Sequence, residues 1–280
     1  MPRSTPRARC ATEALLLLAA ALLALAALAA TAEAASPVRL TAAFGDGARL
    51  GRSTSLHLGL AVLDPWRPPV TEVRLLTPAG IDFSASGLGM ATCVRPNREV
   101  ERVLNPVKHG LCPGNALMGT GTARAELRLD RDRESRYDGG AQIALYSGES
   151  VEDKPGLIVV ADTYRPMRAQ LTYRGYLYIP PPRFGIGIAL KVPPVPRPPF
   201  GAPIALLSFR LVLGGDAVRY VRTVDGRVVP FQPQAVPLPA TCPAEGFRFR
   251  AIVRFAEDEG VPVGDTRAQT DVVVPCPPAQ

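Results

Sequence analysis

The sequence predicts an all-β protein of sandwich or barrel-like build, foremost an antiparallel β-sandwich, either one large unit or two packed sandwiches. Three observations carry this expectation. Apolar residues recur at every second position in many short stretches, as in a strand with one dry face. Glycine-containing turn signals separate these stretches at close intervals. Prolines, 30 among 280 residues, occur at about twice the usual frequency, which excludes a helical bundle or a coiled coil, and no Gly-X-Y period points to collagen.

The chain opens with Arg3, Arg7 and Arg9, an unbroken apolar run from Ala14 to Ala30, and small residues at Ala32 and Ala34. This is the layout of a secretory signal over residues 1–34, with cleavage after Ala34 or Ala32; an uncleaved anchor is the alternative. Either way the arginines stay cytoplasmic and the remainder faces outward, so the expected location is secreted or cell-surface. Cys10 precedes the apolar run, so a lipoprotein cysteine is missing. Removing the segment takes away three arginines against Glu13 and Glu33, and the formal charge of +7 falls to +6. Residues 36–280 then form the all-β part.

Leu56, Leu58, Leu60 and Val62 open the series of alternating strands. Trp66 follows in the proline-framed Asp64-Pro65-Trp66-Arg67-Pro68. Asn97 to Leu104 is the one stretch with helical character, an asparagine cap followed by Val100, Val103 and Leu104 on one side. Ala123, Ala125, Leu127 and Leu129 alternate with Arg124, Glu126 and Arg128. Asp138-Gly139-Gly140 reads as a turn. Leu157 to Val160 is apolar on both sides, as in a central strand. Met167 to Leu177, Phe184 to Val192 and Phe247 to Phe255 resume the alternation. Asp225-Gly226 is a two-residue hairpin turn between Val218–Val224 and Arg227–Phe231, Gly214-Gly215 marks another turn, and Glu259-Gly260 a further one. The proline-rich segment 193–203 reads as a stiff loop joining two neighbouring strands, Phe184–Lys191 and Ile204–Leu213, or else as a spacer that divides the chain in two.

Four cysteines remain outside the signal: Cys93, Cys112, Cys242 and Cys276. An even number in an oxidising compartment implies two disulfides among three possible connectivities. The expected pairs are Cys93 with Cys112 and Cys242 with Cys276, each worth about 3 to 4 kcal/mol through loop closure in the unfolded chain. No pair has the two-residue spacing of a zinc knuckle or a thioredoxin motif.

Catalytic motifs are scarce. His57 lies opposite the Leu56, Leu58, Leu60 face and His109 sits in a loop; no Gly-x-Ser-x-Gly elbow accompanies either one. Asp130, Asp132, Glu134 and Asp138 suggest calcium, but Ser135 stands where an EF-type loop needs glycine and Ala141 where it needs a carboxylate. The Glu257-Asp258-Glu259 run reads as solvated. Gly185-Ile186-Gly187 lacks the third glycine and the helix of a phosphate loop, and reads as a strand against which something packs closely. Leu238-Pro239-Ala240-Thr241 is followed by Cys242 where a sortase signal requires glycine. Catalytic residues, metal ligands and cofactors are therefore expected to be none. Nucleic acid is not an expected partner, since the basic residues alternate singly along strands; a weakly basic face toward anionic wall polymers fits better. Membrane contact is expected only if the N-terminal segment stays uncleaved.

The residues pointing to a ligand are aromatic. Tyr176 and Tyr178 lie on the otherwise polar side of their strand and, with Trp66, could stack on sugars or anchor a surface protein. The functional expectation is an exported, non-catalytic binding or structural protein of the cell surface; an extracellular carbohydrate-active or ester hydrolase is the alternative. Gly87-Leu88-Gly89-Met90-Ala91-Thr92-Cys93, the stretch Cys112 to Gly121, and Cys242-Pro243 followed by Phe247 to Phe255 resemble a group of uncharacterised secreted proteins of high-GC actinobacteria. That resemblance implies an exported β-rich protein and assigns no activity.

Overall fold

The alternating stretches become strands because only a pleated backbone sends successive side chains to opposite faces. A computed structural model describes residues 36–63, 70–83, 87–93, 112–128, 136–165, 168–192, 204–256 and 266–279. Its strands are β1 (Val38–Phe44), β2 (Ser53–Thr54), β3 (Leu56–Val62), β4 (Val70–Pro78), β5 (Leu117–Arg128), β6 (Arg136–Val151), β7 (Lys154–Arg165), β8 (Ala169–Tyr178), β9 (Phe184–Lys191), β10 (Ile204–Leu213), β11 (Tyr220–Val224), β12 (Arg227–Phe231), β13 (Val236–Pro237), β14 (Phe247–Phe255) and β15 (Arg267–Val274). A single 3-10 turn, Gly114–Ala116, is the only helical element among the described residues. The export signal, Trp66, the 97–104 helix, His109, Asp130, Asp132, Glu134, the 193–203 segment and Glu257 to Gly260 lie outside the described residues.

The all-β expectation holds, and most strands belong to one large antiparallel sheet, beside the two-stranded sheets β11–β12 and β13–β2. Eleven strands run in the order β1-β3-β10-β5-β6-β7-β8-β9-β4-β14-β15. Every pairing is antiparallel. The sheet curls until its two edges, β1 and β15, lie side by side without a ladder between them, so the barrel is nearly closed. Its walls have collapsed onto each other. Leu58 of β3 and Ile188 of β9, from opposite sides of the ring, line the same seam with Leu40, Leu75 and Phe249, and that seam leaves no room for a water molecule. Alternating apolar residues report that each strand has one dry face. They do not report which strand pairs with which, and so cannot separate one curled sheet from two.

The core is built from the inward positions the alternation singles out. Phe247, Phe249, Ala251, Val253 and Phe255 of β14 are all buried, as are Leu56, Leu58 and Leu60 of β3. Phe44 meets Phe247 edge-on at 5.3 Å, joining β1 to β14 near the seam; burying a phenylalanine fully contributes about 2 to 3 kcal/mol. Residues 37–280 cluster as one unit.

Two local expectations are corrected. Asp138-Gly139-Gly140 is no turn: it lies within β6, with Asp138 opposite Glu126 of β5, its carboxylate held by Arg124 at 2.8 Å. The flanking alternation continues through the glycines, so the ladder does too. Likewise β9 and β10, taken as neighbours, are far apart in the sheet: β9 pairs with β8 and β4, β10 with β3 and β5. Of the other expected turns, the two that are described agree. Asp225 and Gly226 both have positive φ, 49° and 72°, matching the hairpin twist, and Gly214 has φ 86°.

Both expected disulfides are formed, Cys93–Cys112 and Cys242–Cys276, across 19 and 34 residues. The first sits on the outside of the sheet. With Ala116 it covers Tyr146, Ile158 and Val160, the outward side chains of β6 and β7, while Leu145, Leu157 and Val159 point into the main core. This is why Leu157–Val160 is apolar on both sides. The Cys93 N–H also donates to the Ser147 carbonyl, and the buried Tyr220 hydroxyl donates to Leu117 O at 2.8 Å while accepting from Gly89 N–H at 3.0 Å. Burial raises the pKa of Tyr220. Residues 87–93 and 112–121 thus meet at this cover.

Candidate functional site

Among the described residues no disulfide lies over the outer face of β8, β9, β4 and β14, which is where the tyrosines lie. Cross-strand register fixes its rows. One runs Arg174, Lys191, Glu72, Arg254 and Arg267 across β8, β9, β4, β14 and β15. The next runs Tyr176, Ala189, Arg74 and Ile252, and a third Tyr178, Gly187, Leu76 and Arg250. Directly opposed residues share a face, so these side chains form one surface.

Tyr176 and Tyr178 are both half-buried and meet edge-on, with ring centroids 6.0 Å apart. The Tyr178 ring lies over Gly187, where any β-carbon would collide with it. The glycine expected to admit close packing therefore admits a ring. Gly185 does the same for backbone, taking the carbonyls of Pro78 and Ile81. Lys154 places its ammonium 4.8 Å from the Tyr176 ring centroid and Lys191 does so at 6.0 Å, within cation–π range.

Charge is unevenly committed here. The Arg74 Nε donates to Glu72 Oε1 at 2.8 Å, and Arg254 Nε lies 3.3 Å from Glu72 Oε2. Both carboxylate oxygens of this nearly buried glutamate are thus occupied. Its hydrogen bond to Arg74 raises the arginine's pKa further. Arg250 makes two hydrogen bonds to Asp271, 2.6 and 2.7 Å, a fork geometry suited to guanidinium. Lys191, by contrast, meets no carboxylate among the described residues; its contact is the Tyr176 ring. Burial raises the pKa of Tyr178, so it is a neutral phenol at ordinary pH.

Cations next to tyrosines over a floor of Gly187 and Ala189 make a shallow platform that can receive a flat, polar, negatively charged group. The sequence singles out the two tyrosines. It misses Lys154, Arg74 and Lys191 because they come from three other strands, although Glu72 and Arg74 stand out as the two charges in Val70–Leu76, which is apolar elsewhere save for Thr71.

The other candidate chemistry is dispersed. His57 Nε2 lies 2.8 Å from Asp216 Oδ2, an exposed pair that ties β3 to the turn after β10. Ser55 completes no triad with them: its hydroxyl accepts from the Asp216 N–H at 3.1 Å. Among the described residues no three His, Cys, Asp or Glu side chains converge as metal ligands, and no helix is long and apolar enough to cross a membrane. No protein family, no curated protein and no solved structure matches this chain.

Proposed function

We propose that this is an exported, non-catalytic binding protein of the cell surface or its surroundings, and that the outer face of β8 and β9 holds a sugar of a cell-wall polymer or glycan. The observation that carries the reading is the Tyr176–Tyr178 pair, flanked by the ammonium groups of Lys154 and Lys191. Rings held on a hydrogen-bonded sheet lose little conformational freedom on binding, and their faces match the C–H face of a pyranose. The two disulfides support an extracytoplasmic site of action, as does the secretory layout of residues 1–34. The hydrolase alternative needs two carboxyl groups left uncommitted across a cleft; on this face Glu72 and Asp271 are each engaged by arginines.

The test is a pull-down of cell-wall polymers and glycans with the oxidised protein, against a Tyr176→Ala/Tyr178→Ala variant. Enrichment lost in the variant supports the reading. Equal enrichment by both proteins, or none by either, overturns it.

A further inference from the structure

We infer that the polymer bound on this face is a linear acidic polysaccharide lying across the strands, its acidic groups seated along the Arg174–Lys191–Arg254–Arg267 row. The inference rests on the sugar-binding reading above and adds the charge of the ligand and its direction.

The direction follows from sheet geometry. Neighbouring strands lie about 4.8 Å apart, so the row from β8 to β15 spans about 19 Å, several sugar units. Rows on one face repeat about every 7 Å along the strand, which places the Tyr176 row beside the cation row. A sugar ring over Tyr176 then has Lys191 and Arg174 within reach of a substituent on one side only. A chain running along β8 would instead leave the cations after one residue.

The charge follows from what is already paired. Glu72 is the carboxylate within that row, and its oxygens are taken by Arg74 and Arg254. Lys191 meets no carboxylate among the described residues. Exposed Arg254 and Arg267 stand directly opposite each other, and their repulsion is relieved when an anion arrives. A neutral glycan would relieve none of it.

The experiment measures binding of the oxidised protein to oligogalacturonate, to a neutral cello-oligosaccharide of equal length and to a single-stranded oligodeoxynucleotide, at low and physiological salt. Expected are binding of oligogalacturonate at least about tenfold tighter than the neutral chain, weakening with salt, and a loss of about fivefold or more in Lys191→Ala. Glu72→Gln, which frees Arg74 and Arg254, is expected to tighten oligogalacturonate binding by a few fold; Arg267→Ala, at the exposed end of the row, loosens it in a protein whose folding is unaffected. Equal, salt-independent binding of both oligosaccharides, abolished in Tyr176→Ala, overturns the acidic ligand and leaves the sugar platform standing. Salt-dependent oligogalacturonate binding indifferent to Tyr176→Ala overturns the platform itself. Tighter binding of the oligodeoxynucleotide than of either oligosaccharide overturns both.

Discussion

Ile158 and Arg174 stand opposite each other on β7 and β8, pointing to the same outer face of the same sheet. Ile158 is fully buried and Arg174 is exposed. The backbone treats the two positions alike, so the difference comes from what lies above them. Over β7 the Cys93–Cys112 disulfide and the 3-10 turn exclude water, and outward positions there are Tyr146, Ile158 and Val160. One strand further, opposite Ile158 and Gly156, the outward positions are Arg174 and Tyr176. The outer surface is therefore divided into a part packed under the Cys93–Cys112 disulfide and a part that is not. A buried arginine without a partner or an exposed isoleucine row would each be costly, so the boundary in side-chain character coincides with the edge of the cover.

The comparison can be broken most severely at the disulfide. Replacing Cys93 and Cys112 by alanine should cost about 3 kcal/mol from chain entropy alone. It should also raise binding of a hydrophobic dye, because Tyr146, Ile158 and Val160 are uncovered; removing Cys242 and Cys276 should cost as much without the dye signal. Denaturant titration of both variants with dye fluorescence checks this, and equal dye binding would sink the covering role. Ile158→Ala should cost about 2 to 3 kcal/mol, read in the same titration. Tyr220→Phe, which strands Leu117 O and the Gly89 N–H, should cost about 1 to 2 kcal/mol.

Alkali provides a smaller effect. Burial raises the folded-state pKa of Tyr146, Tyr173, Tyr178 and Tyr220 above the ordinary 10, to about 12 for Tyr173. The unfolded chain then releases these protons first. Their contribution is complete below pH 10 and is lost as pH rises through the folded-state values. The thermal midpoint should fall between pH 10 and 12, and a flat profile over that window would contradict the burial of these phenols. Smallest of all, Arg174→Ala should leave stability within about 0.5 kcal/mol of the parent, in contrast to its neighbour Ile158.

Much of this was legible in the chain. Strand positions in β3, β9 and β14 follow from alternation, the Asp225-Gly226 hairpin from its turn residues, and both disulfides from cysteine number and spacing. Pairing partners were not, because period-two patterning describes one strand at a time; β9 beside β10 was the natural guess and is incorrect. The β6–β7 turn was also hidden. Glu152 and Asp153 take positive φ there, 51° and 60°, without the glycine that usually announces such a turn. The platform was half legible for the same reason as the sheet. Tyr176 and Tyr178 share a strand and are visible together, whereas Lys154, Arg74 and Lys191 reach them only through register.

The Cys242–Cys276 bond has a mechanical consequence. Both β14 and β15 lie inside the loop it closes. Tension applied to the two chain ends passes from residue 242 to residue 276 through sulfur and never loads the intervening hairpin. Stretching the parent protein should thus release about 110 Å less contour than a Cys242→Ala/Cys276→Ala variant that keeps Cys93–Cys112, the reach of some 34 residues. The strands bearing Arg250, Arg254 and Arg267 would be shielded from a load that unravels the rest.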